Sequence, residues 1–121
     1  MPAVGLVLVA SLGAAAADAG TVQPIAKPAA QLYVEKCSVC HGQDGRGDTR
    51  MGRRFHAPDF TAEKFQGEAQ DPDLKRAIMG GVVVDGMRRM PAWQDKLTAA
   101  QIDGLVSYVR SFRGAKPPPA R

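Results

Sequence analysis

Five consecutive residues, Cys37-Ser38-Val39-Cys40-His41, hold the densest reactive chemistry of the chain: two thiols and an imidazole. Three kinds of site use such a set. A tetrahedral zinc site needs four ligands, and beyond these three the chain offers only His56, at a spacing that matches no common zinc pattern. A Cys-X-X-Cys redox couple belongs in a βαβ unit, whereas the surrounding sequence reads as helices and loops. Covalent attachment of haem c needs what is present. Two thiols three positions apart add to the two vinyl groups of one porphyrin, and the following histidine rises beneath the iron.

His41 would fill one axial position and leave a second. Of the five methionines, Met1 lies in the N-terminal apolar stretch and Met51 sits close to a glycine-rich loop. Met79 falls on the apolar stripe of a predicted helix, where core packing suits it. Met87 and Met90 remain, both within Gly86-Met-Arg-Arg-Met-Pro-Ala-Trp93. Met90 precedes Pro91, which lacks an N–H and holds its predecessor extended, so a thioether can project from the loop. Met90 is favoured, with Met87 as the alternative. An iron-bound histidine normally donates its other ring N–H to an oxygen, and Pro58 offers a carbonyl on a rigid backbone.

Other residues near this site carry two readings each. Trp93 lies either against the haem or near a propionate, or else in the core. Arg53 and Arg54 either meet a propionate or stay solvated. Arg88 and Arg89 either ring an exposed haem edge, steering an acidic partner, or belong to an ordinary loop. His56 is expected at the surface.

These residues need elements to hold them. A first helix is predicted from Pro28 to Cys40, with Ala29, Leu32, Tyr33 and Lys36 or Cys37 on one face. Three glycines between Gly42 and Gly47 break it, and Thr49 to Gln70 reads as irregular loop with a helical turn near Thr61 to Phe65. Asp71 reads as the N-cap of a second helix, Pro72 as its first turn, and Gly80-Gly81 as its stop. Val82-Val83-Val84 lacks an evident partner run and is read as extended loop, followed by more loop from Asp85 to Trp93. Thr98-Ala99-Ala100-Gln101 is a capping box opening a last helix with Ile102, Leu105, Val106, Val109 and Phe112 on one face and Gly114 as its end. Long loops between few helices usually wrap something.

The sequence resembles class I cytochromes c of the bacterial monohaem type over roughly Ala29 to Arg113. The resemblance rests on the attachment motif near the N-terminus, on Cys-His-Gly-X-Asp-Gly-X-Gly-Asp from Cys40 to Asp48, on Ala57-Pro58-Asp59-Phe60 and on Met90-Pro91-Ala92-Trp93. It implies an all-α fold of three to four helices and long loops around one haem. It also implies Ala29 and Tyr33 packed on a C-terminal helix at Leu105 and Tyr108, the Pro58 carbonyl on the proximal histidine, and a late-loop methionine as second ligand, here Met90. Its function would be single-electron transfer with no catalytic residue.

The totals agree with this reading. The 121 residues suit one domain, and only 6% are aromatic, a thin supply for a self-sufficient core. Val4 to Ala17 is an unbroken run of apolar and small residues, too short to span a bilayer but suited to an export signal, although no basic residue precedes it. The expected organisation is a signal at 1–19, a tether at 20–28, the haem domain at 29–114 and a proline-rich tail at 115–121. Without the first segment the chain is one unit more positive than its formal +4, since Asp18 leaves with it. A periplasmic monomer is expected, shuttling electrons between a dehydrogenase and an oxidase or reductase. The alternatives are a haem subunit dedicated to one exported dehydrogenase, and a haem sensor or peroxidase with an open iron site.

Overall fold

The computed structural model describes residues 27–116 together with Pro2, Ala3 and Gly5. The expected signal, and most of the tether and tail, therefore lie outside the described residues. Among the described residues no helix is long and apolar enough to cross a membrane.

The first helical stretch is continuous from Ala29 to His41 but changes pitch. α1 (Ala29–Leu32) runs into a π-helical segment (Tyr33–Cys37) and then into α2 (Ser38–His41). π-Turns inside helices are uncommon and gather at functional sites; this one ends on the first thiol. Its companion is α6 (Ala99–Arg110), opened by the expected capping box: the Thr98 side chain accepts from the Gln101 N–H, and the Gln101 side chain accepts from the Thr98 N–H. Turns carry α6 on to Gly114. Ile102, Leu105, Val106, Val109 and Phe112 are all buried, as their spacing requires.

The two helices cross closely because both present small residues at the contact. A Cβ added to Gly104 would stand 3.4 Å from that of Ala29. Tyr33, almost wholly buried, packs its ring 4.8 Å from Tyr108 and 5.3 Å from Phe112. Ala29 thus meets Gly104, and Tyr33 meets Phe112 as well as the anticipated Tyr108.

Between these helices lie α3 (Arg50–Phe55), α4 (Glu63–Glu68) and α5 (Asp71–Gly80), so the stretch read as mostly irregular loop holds two short helices. The N-cap of α5 is Gln70 rather than Asp71: Gln70 and Asp73 form a reciprocal capping box, and Pro72 stands in the first turn. Asp71 is already helical, and its carboxylate accepts from Arg110 Nε at 2.7 Å. Leu74 and Ile78 bury the apolar stripe of α5 against α6.

Val82 to Val84 is a strand after all. β1 (Val82–Val84) pairs antiparallel with β2 (Met87–Met90), so Met87 to Met90 is the partner run not evident from the sequence. Asp85 and Gly86, at φ 51° and 74°, make the two-residue turn that favours hairpins. Arg88 and Arg89 break the apolar alternation by which β2 would otherwise be recognised.

Candidate cofactor site

The carbonyls at the C-terminal end of α2 have no partners within the helix; here a threonine supplies one. Thr49 Oγ1 donates to the Val39 and Cys40 carbonyls at 2.8 and 2.9 Å. The same oxygen accepts from the Gly52 N–H at 2.9 Å, so one hydroxyl caps the end of α2 and the start of α3. The Gly47 N–H donates to the His41 carbonyl at 2.8 Å, and the buried Tyr33 hydroxyl donates to the Gly42 carbonyl at 2.7 Å. The attachment segment is therefore tied on three sides before any cofactor enters.

Cys37, Cys40, His41, Pro58 and Met90 all line one cavity of about 390 Å³, within the ~300–1,000 Å³ of small-molecule sites. Its walls are mostly apolar, with Phe60, Leu74, Ile78 and Val109 among the lining side chains. Of the methionines in the described residues, only Met90 reaches it. Met87 is 59% exposed on the outside of the hairpin, and Met79 packs against the core. Trp93 lines the cavity and also packs on the core. Its backbone N–H donates to the Ile78 carbonyl at 3.0 Å, tying the segment after Met90 to α5.

Burial sets the protonation of the site. It lowers the His41 pKa to about 4, so the imidazole is neutral at pH 7, the form that binds metals. Burial, and then the neighbouring Cys40, push Cys37 up to about 11, and burial raises Cys40 as well. Redox-active Cys-X-X-Cys pairs show lowered thiol pKa values; these move the opposite way. Among the described residues no group of three or more His, Cys, Asp or Glu is arranged to hold a metal ion. A neutral imidazole with a buried, unpartnered Nδ1, two protonated thiols and a thioether around one apolar slot fit a porphyrin iron.

No hydrogen bond links His41 Nδ1 to the Pro58 carbonyl among the described residues. The Ala57 and Pro58 carbonyls instead face Gly47, where an added Cβ would stand 2.7 and 3.0 Å from their oxygens. The ring is held by Phe60, stacked on it with centroids 4.5 Å apart and planes 19° from parallel. Phe60 and Thr49 were not singled out from the sequence. Phe60 lay inside a recognised motif, but nothing local marks which member touches the ring. Arg53 is exposed and paired with Asp48 at 2.5 Å, Arg54 lies over the Phe55 ring, and neither lines the cavity. His56 is exposed at the cavity mouth, in a left-handed helix cap.

With this geometry in hand, similarity to known proteins is informative. The family model described as "Cytochrome C oxidase, cbb3-type, subunit III" matches residues 24–109. The cbb3-type cytochrome c oxidase subunit FixP of Bradyrhizobium diazoefficiens is 33% identical over 86 residues, 71% of this chain and 27% of that protein. The cytochrome c subunit of the quinone alcohol dehydrogenase of Komagataeibacter europaeus is 29% identical over 97 residues, 75% of this chain and 20% of that protein. The solved KustC0563 c-type cytochrome superposes with a TM-score of 0.63 at 30% identity, covering 72% of this chain and 99% of that one. The chain thus spans about a quarter of the FixP relative that it matches.

Fold and site together define a c-type cytochrome domain with the class I fold, an electron-transfer module. The chain belongs to the family of the cbb3-type oxidase subunit III cytochrome, and haem c is the cofactor that membership implies.

Proposed function

We propose that this chain carries single electrons on one haem c, anchored by thioethers from Cys37 and Cys40 and ligated by His41 and Met90. The observation that carries the reading is the convergence of these four side chains, drawn from α2, the preceding π-segment and β2, on a single apolar cavity. When bound, the haem iron supplies a one-electron couple. The protein's own part is to hold and tune. His41 offers a neutral nitrogen steadied by Phe60, and Met90 offers a soft thioether, which favours the reduced iron over a second imidazole. Phe60, Leu74 and Ile78 keep water from the slot, so the charge change is felt in a low dielectric. Pro58 lines the same slot and fixes the backbone that leads into Phe60.

We further infer export to the periplasm, resting on the apolar run from Val4 to Ala17, and redox proteins as partners. Whether those partners are met by diffusion or in a fixed complex divides two readings. The names of the relatives, subunits of an oxidase and of a dehydrogenase, favour a dedicated haem subunit; co-purification with a large partner would establish that over a free carrier. An open-iron sensor or peroxidase requires that Met90 not be a ligand.

A pyridine haemochrome spectrum with a redox titration tests the core of the proposal. The expected result is one haem c per chain and a single one-electron transition. Met90→Ala should lower the potential, abolish the sulfur-to-iron absorption band and let the reduced protein bind carbon monoxide. A variant that kept band and potential would eliminate Met90 as ligand. Carbon monoxide binding by the parent protein would favour the open-iron reading.

A further inference from the structure

Three buried side-chain nitrogens find no hydrogen-bond partner among the described residues: His41 Nδ1, Arg46 Nε and Arg89 Nε. Arg46 lies away from the cavity, with an Asp44 carboxylate oxygen 3.9 Å from its Nε. Arg89 lines the cavity and makes no ion pair among the described residues. A guanidinium stays charged at any physiological pH. Burying part of it against apolar side chains costs free energy unless an anion meets it.

The hairpin aims Arg89 there. In a regular strand Arg89 and Met90 would point to opposite faces. The pairing passes from Val82↔Met90 to Val83↔Arg88, leaving Arg89 as the extra residue of a bulge, a device that re-aims side chains beside functional sites. Both Arg89 and Met90 therefore line the cavity. Arg88 stays outside, where its Nη1 donates to the Gly80 and Met90 carbonyls. Lys36 also lines the cavity, but it adjoins Cys37, on the edge where the vinyl groups attach. Haem propionates leave the porphyrin from the opposite edge.

We propose that Arg89 is the propionate-binding residue of this site, its bulge-directed guanidinium pairing with a haem carboxylate beside the Met90 ligand. This rests on the haem reading above. The pair seats the porphyrin edge and adds a fixed positive charge near the iron, which favours the reduced state.

The test compares the haem-loaded parent with Arg89→Gln, Arg89→Lys and, as a surface control, Arg53→Gln. Midpoint potentials are measured by redox titration and propionate carboxylate bands by redox-difference infrared spectroscopy. Arg89→Gln should shift the carboxylate band and lower the equilibrium constant for reduction on the order of tenfold, about 59 mV for one electron. Arg89→Lys should recover most of the potential but not the band position, since it keeps the charge and loses the fork. Arg53→Gln should move neither. An unchanged band in Arg89→Gln, or an equal change in Arg53→Gln, would overturn the assignment. If Arg89→Gln fails to load haem, Arg89→Lys decides, a parental band refuting the pairing. A haemochrome assay of the parent comes first: absence of haem there would defeat the underlying reading rather than the role of Arg89.

Discussion

The two walls of the cavity are built differently. The His41 wall is held by the protein's own hydrogen bonds: Thr49 bridges α2 and α3, Tyr33 ties the helix to Gly42, and Gly47 ties the following loop to His41. The Met90 wall is a two-stranded, bulged hairpin whose outer residues Val83 and Met87 are exposed. It is moored to α5 mainly through Trp93, Gln94 and Arg88. An isolated two-stranded hairpin is marginal in water. The comparison teaches a division of labour. One wall is preformed to present thiols and imidazole in register, while the other would depend more on the ligand bond proposed for Met90.

If that is right, damage to the His41 wall should cost most. Gly52 sits where an added Cβ would stand 2.2 Å from both the Cys40 and Gly47 carbonyl oxygens. These are backbone atoms that cannot swing aside, so α2 and α3 would have to separate. Gly52→Ala should destabilise the haem-loaded protein by about 4 kcal/mol, the level of a severe core lesion, as read by chemical denaturation. A cost under about 1 kcal/mol would show that this wall yields as readily as the other.

Next come the polar ties. Tyr33→Phe removes the donor to a Gly42 carbonyl while keeping the ring contacts, and should cost about 2 kcal/mol, the range for leaving a buried acceptor unpaired. Thr49→Val removes the cap shared by two helices and should cost about 1–2 kcal/mol. Both losses should appear in global unfolding with little change in the Met90 absorption band. Bleaching of that band at unchanged stability would reverse the assignment of the walls.

The sequence was most legible where periodicity and capping speak locally. Each anticipated core residue of α6 is buried and its capping box is formed, because an amphipathic helix records its buried face at fixed spacing. That Cys37, Cys40, His41 and Met90 belong around one cavity was legible for a different reason: their chemistry is scarce, with two cysteines and a methionine before proline. The hairpin was not, since Arg88 and Arg89 mask the strand and the bulge breaks its alternation, although Asp85-Gly86 is a hairpin turn pair that carried the signal. Nor could Thr49 be found. It serves carbonyls 9 and 10 positions earlier, and α3 is short, with Gly52 inside it and only Met51 and Phe55 to mark an apolar face. Phe60 needed three dimensions, since its value lies in stacking on a ring 19 positions away.

The smallest effect sharpens the comparison at its most specific point. Met87 and Met90 end the same short strand, yet Met87 is 59% exposed and Met90 lines the cavity. Met87→Ala removes an exposed side chain, so stability should change by no more than about 0.5 kcal/mol. The potential and the sulfur-to-iron band should stay at parental values. If the hairpin wall leans on the proposed Met90 ligation more than the His41 wall does, stepwise denaturation of both Met87→Ala and the parent should show the band bleaching before helicity falls. A lost or shifted band would mean that Met87 shares the iron with Met90. The two ends of β2 would then be interchangeable donors on a loose wall, not one ligand and one solvent-facing residue.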